Sequence, residues 1–599
     1  MNTKNKKTYK AGLLCCGVAA AVAGLSSCAD FLEIKPQSEI ILEDFWNEKA
    51  DVDNVVMGCY SALQSDAVRK RMIVWGEVRS DNIMSGQNLN SSDVDLYNVV
   101  RENINAMNSY TVWDGFYDVI NRCNTVLKYA PGVAAEDPGY TQGDLNATIA
   151  EMTALRDLCY FYLIRTFRNV PYSTVAFTDD DQKMDLPATP FYDVLDSLIT
   201  DLERVKNDAV VRYPETKPRY QTGRITRDAI YAMLCEMYLW KQDYDNCIRY
   251  AELVINSKKE MYEEERAKGN GRNGGGGIAS LSSLNIVENR FNGYPLVADA
   301  TTGNFFGDYY ETIFDQGASR ETIFELNYDD SPEATGMLSS GTISSFYGHS
   351  NSHKGLLAPS TALTEDVAST SGRAIFEDKN KKIDSRLYLN LDAEGGNITK
   401  FATRNVTIDA SNATTPKAEY SYYAQNNNSS QWIIYRLPDI MLMEAEALCQ
   451  QMQEGSEQSV IDYNAPKLEQ CFRLVNAINK RSICKAILVD ADTLKPTDYT
   501  TKSLMEGLVM RERQRELMFE GKRWYDLVRY ALRDGNTQQV ISAVVKRDDV
   551  NGTFAQNFFK KMDAIFWPYN NEEMKVNKNL EPNPVFGSGE STSYEKTTK

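Results

Sequence analysis

Two stretches of this chain carry the same local pattern, and that pattern limits its architecture more than any other feature. Leu158-Cys159-Tyr160-Phe161-Tyr162 and Leu234-Cys235-Glu236-Met237-Tyr238 both read L-C-x-x-Y. Apolar residues around them recur three or four positions apart, so each stretch is a helix with an apolar face that must be covered. After the second stretch, Tyr244, Cys247, Ala251 and Val254 continue the period on a following helix. Cys235 and Cys247 fall where two helices approach closely, and there a cysteine acts as a small hydrophobe.

This ladder resembles a tetratricopeptide helix pair. The same period predicts helices over 43–64 and 111–129, over 147–168 and 190–206, over 226–240 and 243–257, and over 431–452 and 464–482. A last, highly charged helix is expected over 503–530. Pro190 suits a helix start. Trp113 and Trp524 lie in helical stretches and read as core. Between 258 and 430 the period fades, and Gly, Asn, Ser and Thr with clustered aromatics predict loops, short strands and short helices. The expected fold is therefore mainly α: tetratricopeptide-like helix pairs form a scaffold with an inserted, irregular, loop-rich binding subdomain. The segments are 1–27, a signal; 28–257, an N-terminal helical region; 258–430, the insertion; and 431–599, a C-terminal helical region.

The first thirty residues set the compartment. Lys4, Lys6, Lys7 and Lys10 precede an apolar run from Ala11 to Leu25. That run is short for a membrane span, which takes about 20 residues, and reads as a secretory signal. It ends Leu25-Ser26-Ser27-Cys28, which resembles the lipobox of bacterial lipoproteins. The resemblance implies that Cys28 becomes a diacylated N-terminus. Two chains, each buried methylene contributing about 0.8 kcal/mol, hold stably in a bilayer. Eight cysteines follow Cys28. None forms a CxxC pair, and their apolar neighbourhoods favour buried free thiols over disulfides or zinc.

Composition narrows the function. Sixty-five Lys+Arg stand against 83 Asp+Glu. A nucleic-acid binder needs a clustered basic surplus, so none is expected as a partner. With only two histidines, His-rich metal sites and most triads are excluded. His349 and His353 stand four apart, but no Glu follows His349 as HExxH demands, and both read as surface residues. Gly269-Asn270-Gly271-Arg272-Asn273-Gly274 matches GxGxxG by letter but follows a charged helix tail, so it reads as a linker. Neither GK[ST] nor G-x-S-x-G occurs. No cofactor, metal or catalytic residue is expected. Arg511 to Leu527 interleaves charge with an apolar stripe and reads as a docked helix with a lattice of i,i+3 pairs, Glu512/Arg515, Glu520/Arg523 and Asp526/Arg529.

Longer motifs carry a resemblance to a family. Cys28-Ala29-Asp30-Phe31-Leu32-Glu33, Arg156 to Leu163 with Asn169-Val170-Pro171, and Gly223-Arg224-Ile225-Thr226 through Tyr244 occur in that order. Asp384-Ser385-Arg386, Tyr435 to Ala447, Arg513 to Leu527, and Asn577 to Pro584 follow. This series resembles the SusD/RagB family of Bacteroidetes outer-membrane lipoproteins. Pro438 and Val585-Phe586 depart from the family pattern, and 258–285 is similar to an insertion. The resemblance implies a non-catalytic lipoprotein, anchored in the outer membrane and exposed on the cell surface. It also implies a SusC-like TonB-dependent transporter as partner and an oligosaccharide as cargo, with peptides handled by some relatives.

Sugars offer apolar C–H faces to rings and hydroxyl rims to amides and carboxylates. Two loops have that chemistry. One holds Asp81, Asn82, Asn88, Asn90 and Tyr97; the other holds Tyr294, Phe305, Phe306, Tyr309 and Tyr310. For any single ring, packing in the core is the favoured reading over ligand contact. Three functions remain open: oligosaccharide capture, peptide capture on the same scaffold, and a surface glycoside hydrolase.

Overall fold

A computed structural model describes residues 45–586, apart from residue 180 and the segments 271–285, 300–302, 330–339, 351, 364–374, 377–383, 393, 413–415 and 425–426. Cys28 and most of the Gly269–Gly274 stretch lie outside the described residues. Helix accounts for 57% of the described residues and strand for 9%, so the molecule is mainly α.

The longer helices are α1 (Lys49–Leu63), α2 (Asp66–Ile73), α3 (Asp114–Glu136), α4 (Gln142–Phe167), α5 (Phe191–Val205) and α6 (Arg227–Lys241). They continue with α7 (Tyr244–Asn270), α8 (Leu437–Gln451), α9 (Gln458–Arg481), α10 (Lys502–Leu517) and α11 (Arg523–Asp534). The four expected pairs form: α1 packs on α3, α4 on α5, α6 on α7, and α8 on α9. Helix α7 also packs on α8, which joins the two helical halves across the mixed region.

Helix α4 shows what the packing requires. Thr141 and Asp144 close a capping box at its start, satisfying amides that have no partner within the helix. From Ala150 onward every residue is buried, so its polar side chains must be paired inside. Glu151 meets Arg224 at 2.6 Å, Arg165 meets Glu236 at 2.7 Å, and Arg156 meets Asp157 at 3.0 Å. The eight described cysteines are buried and free. Cys235 and Cys247 sulfurs lie 3.7 Å apart, and Cys449 and Cys471 lie 3.6 Å apart, well beyond the roughly 2.05 Å of a disulfide.

The mixed region contributes β1 (Ile83–Ser85), β2 (Phe305–Phe306), β3 (Thr322–Leu326), β4 (Leu357–Pro359) and β5 (Leu391–Asp392). It also contributes β6 (Asn397–Ile398), β7 (Thr403–Asp409), β8 (Lys417–Tyr422) and β9 (Trp432–Arg436). All pairings are antiparallel: β1 with β4, β3 with β9, β5 with β6, and β8-β7-β2 as a three-stranded sheet.

Three expectations are corrected. The 431–452 helix begins at Leu437, because Trp432–Arg436 is a fully buried strand on β3. A short, wholly apolar run has no period that separates strand from helix. Helix α7 runs past 257 to Asn270, so it extends into the region read as irregular. The 503–530 helix is broken between α10 and α11. The Glu77 carboxylate there accepts hydrogen bonds from the Phe519, Gly521 and Lys522 amides at 2.8, 3.1 and 3.2 Å. Those amides are turned away from the helix by Phe519 (φ +67°) and Gly521 (φ +71°).

Candidate ligand-binding face

The charged motifs of the second half converge inside the protein. Arg386 holds Asp384 and Glu512, both at 2.8 Å. Arg436 holds Glu516 and Glu520 at 2.5 and 2.6 Å, Lys400 meets Glu520 at 2.6 Å, and Arg481 meets Glu321 at 2.7 Å. All are essentially buried. The Glu516 carboxyl is held well below the usual range: burial opposes this, but Arg481, Arg436 and Arg386 outweigh it. The expected lattice is thus internal and long-range. Glu512/Arg515 and Asp526/Arg529 do form, but Glu520 goes to Arg436 and Arg523 goes to Asp81. This lattice leaves no open site for cargo.

Most of the candidate ligand residues are also interior, which corrects their expected exposure. Asp81 is ion-paired with Arg523 at 2.8 Å. The Asn82 amide donates to Glu77 and accepts from Gln514, each at 2.8 Å. Tyr294, Phe306, Tyr309 and Tyr310 are at most 3% exposed. The Tyr309 hydroxyl meets Ser385 at 3.0 Å, and the Tyr310 hydroxyl accepts from the Phe401 amide at 2.8 Å. Each polar group here has been withdrawn from water and needs its internal partner. Tyr97 is half-buried with Arg101 over its ring at 5.4 Å. Only Asn88, Asn90 and Phe305 are exposed.

The structure brings a different set together. Strand β8 alternates exposed and half-buried residues, so Ala418, Tyr420 and Tyr422 share one face. The two tyrosine rings lie 6.3 Å apart. Asp392 is near enough to raise both phenols electrostatically, and Tyr388 and Glu394 also act on Tyr420. Burial, then Asp392, pushes Tyr422 up to about 12, so its hydroxyl stays protonated. Asn397 closes the β5–β6 turn. Asn397 is 3% exposed, and its side chain lies against the Tyr422 hydroxyl, where a polar contact partly offsets the rise in that phenol.

Backbone ties extend this face toward the first loop. The Lys354 ammonium donates to the Gly395 carbonyl. His349 and His353 stack at 4.9 Å beside it, at the surface as expected. The Gly86 amide donates to Leu356 at 2.8 Å, and Asn88 and Asn90 follow directly on the exposed side. Phe305 does not join them. Its register, Phe305–Asp409–Lys417, puts it on the opposite face of the sheet from Phe306, Ile408 and Ala418. The strip therefore offers half-buried phenol rings at the margin of the core, carboxylates and imidazoles. That array hydrogen-bonds hydroxyls and stacks on apolar faces. Sequence reading missed Tyr420, Tyr422 and Asn397, although Lys-Ala-Glu-Tyr-Ser-Tyr at 417–422 has the period-two pattern of a strand. Among the described residues no group of three His, Cys, Asp or Glu stands together as a metal site.

Comparison with known proteins gives one consistent picture. The model of the SusD family matches residues 320–586, and a second model, described as starch-binding associating with outer membrane, matches residues 30–239. A SusD-like protein P38 of Formosa agariphila is 25% identical over 578 residues, which is 93% of this chain and 96% of that one. A SusD superfamily structure from Bacteroides vulgatus covers 90% of this chain and all of its own at 16% identity, with a TM-score of 0.59. A laminarin-binding SusD-like protein gives a TM-score of 0.55 at 17% identity, covering 90% of this chain and all of its own.

Proposed function

Because the chain belongs to the SusD family, we propose that it is a surface-exposed outer-membrane lipoprotein, anchored through Cys28, that captures oligosaccharides and passes them to a SusC-like TonB-dependent transporter. Members of the family are binding proteins rather than enzymes, and no catalysis is assigned to this chain. The observation that carries the capture site is the Tyr420–Tyr422 pair, with Asn397 against the Tyr422 hydroxyl. A pyranose stacked on the rings presents hydroxyls to Asn397 and to the carboxylates of Asp392 and Glu394. Asn88 and Asn90 extend the strip for a longer chain, and Tyr97 and Phe305 stand outside it. A shallow site built from half-buried rings binds weakly and releases readily, which suits transfer to a transporter. Support for the cargo class comes from the name of the starch-binding model and from the laminarin-binding relative in fold.

Affinity electrophoresis over a polysaccharide panel that includes laminarin tests the reading. Retardation by at least one glycan is expected, and it should be lost in Tyr420→Ala/Tyr422→Ala with the thermal midpoint checked in parallel. Absence of retardation on every glycan, with binding to peptides instead, overturns the cargo. The acidic balance of the chain favours that second reading for basic peptides. Reducing ends released by the purified protein would establish a hydrolase instead.

A further inference from the structure

A cleft of about 480 Å³ opens between α3, the 171–186 segment and the helix Asn571–Val576. Nothing from the 286–436 region lines it, so it is separate from the strip described above. Its volume is that of a site for one bulky side chain or small ligand. The wall is apolar and aromatic, with Trp113, Tyr117, Phe177, Met184, Leu186 and Val576 contributing. Val576 and Met184 are 82% and 55% exposed, so two large apolar side chains stand at the rim with nothing over them.

The charge at the mouth is one-sided. Asp114, Asp185 and Glu573 line the cleft, and no Lys or Arg does. Arg71 approaches Asp114 only at 3.8 Å, and Lys183 approaches Asp185 only at 4.0 Å. Among the described residues no Lys or Arg is within ion-pair distance of Glu573; the Trp113 indole donates a hydrogen bond to it, and Asp114 is a like-charged neighbour. Burial and then the Asp114 charge raise its carboxyl against the Trp113 hydrogen bond, and a cation placed beside it offsets the repulsion. The polar side chains deeper in the cleft are already used: Asn121 bonds Phe177, Asn124 bonds Ser173 and Val175, and Asn577 bonds Leu186. They fix the wall; the carboxylates each accept one internal hydrogen bond, Asp114 from the Gly115 amide, Asp185 from Asn579 and Glu573 from Trp113, and keep lone pairs for an occupant. The cleft of about 670 Å³ between α9 and α10 differs, because Arg473 and Lys502 there offset Glu454 and Glu469.

We propose that the α3 cleft is a docking site for a basic peptide segment of a protein partner, which inserts one apolar side chain against Tyr117, Phe177 and Val576 while a flanking Lys or Arg pairs with Glu573. Fluorescence anisotropy on the mature chain tests it with two dye-labelled acetylated tetrapeptides, Lys-Leu-Phe-Lys and Glu-Leu-Phe-Glu. The basic peptide should bind, and the acidic one should bind at least about tenfold more weakly. Glu573→Gln and Val576→Lys, both at the surface, should each weaken the basic peptide about five- to tenfold. Added salt should weaken it as well. Circular dichroism confirms that both variants are folded. The proposal fails if the two peptides bind alike, if the basic peptide does not bind, or if folded Val576→Lys binds as the parent does. It also fails if Tyr420→Ala, in place of Val576→Lys, abolishes binding, since the peptide would then occupy the capture strip.

Discussion

Asp81 is followed by an Asn-rich loop, yet its carboxylate points inward to Arg523 across 442 positions of sequence. Asp81→Ala leaves a guanidinium buried without its partner, and should cost about 3–5 kcal/mol in denaturant-induced unfolding. A smaller effect would mean that Arg523 finds another anion. Glu444 gives the opposite case. Burial raises its carboxyl to about 7, its partner is Gln470 at 3.1 Å, and one of its oxygens is unpaired. The folded state therefore keeps this proton while the unfolded chain loses it near the ordinary glutamate value. Its contribution to stability falls as pH rises from about 4.5 to about 7 and stays unfavourable above. Glu444→Gln should remove that part of the slope and make the protein about 1–3 kcal/mol more stable at pH 8, measured by unfolding at both ends of the interval. Neither partner set is readable from sequence, since Asp81 and Glu444 look like any of the 83 acids.

The helix pairs follow directly from periodicity, and their small positions hold Cys235, Cys247, Cys449 and Cys471 as expected. What periodicity cannot show is where a helix is interrupted from outside. Gly76 and Gly521 explain the break after α10: a Cβ on Gly76 would lie 1.8 Å from the Gly521 carbonyl oxygen. Gly521 itself has φ +71°, and a Cβ there would come 2.9 Å from the Met72 oxygen and 3.0 Å from Trp432. Gly521→Ala should therefore destabilise by about 1–3 kcal/mol and lower the thermal midpoint; an unchanged midpoint would mean that the turn relaxes. The β7–β8 ladder makes the complementary point. Its exposed residues alternate with half-buried tyrosines, a pattern visible in six letters, but the Asp392–Asn397 turn facing those tyrosines is supplied by another hairpin.

At the scale of the molecule, the parts serve different tasks: helix pairs carry the core, and the mixed region places a strip of rings and amides on one face. On the proposed lipoprotein reading, removal of residues 1–27 would take away four lysines and no acid, so 61 basic residues would face 83 acidic ones, a net charge of about −22. On that same reading, the charge keeps the protein soluble above its membrane. Cys28→Ala should move the protein from the outer-membrane fraction to the soluble fraction of fractionated cells; retention in the membrane would point to a different anchor. By itself, the sequence determined the helix pairing, the burial of the cysteines and the family, because these rest on local period and on side-chain size, which neighbouring residues set. Only the tertiary structure decided which polar residues face water. Asp81, Asn82, Tyr309 and Tyr310 were drawn inside by partners far away in sequence, and buried Asn397 meets Tyr422 of another hairpin. Pairing inside a protein is fixed by geometry between elements, and no local pattern encodes it.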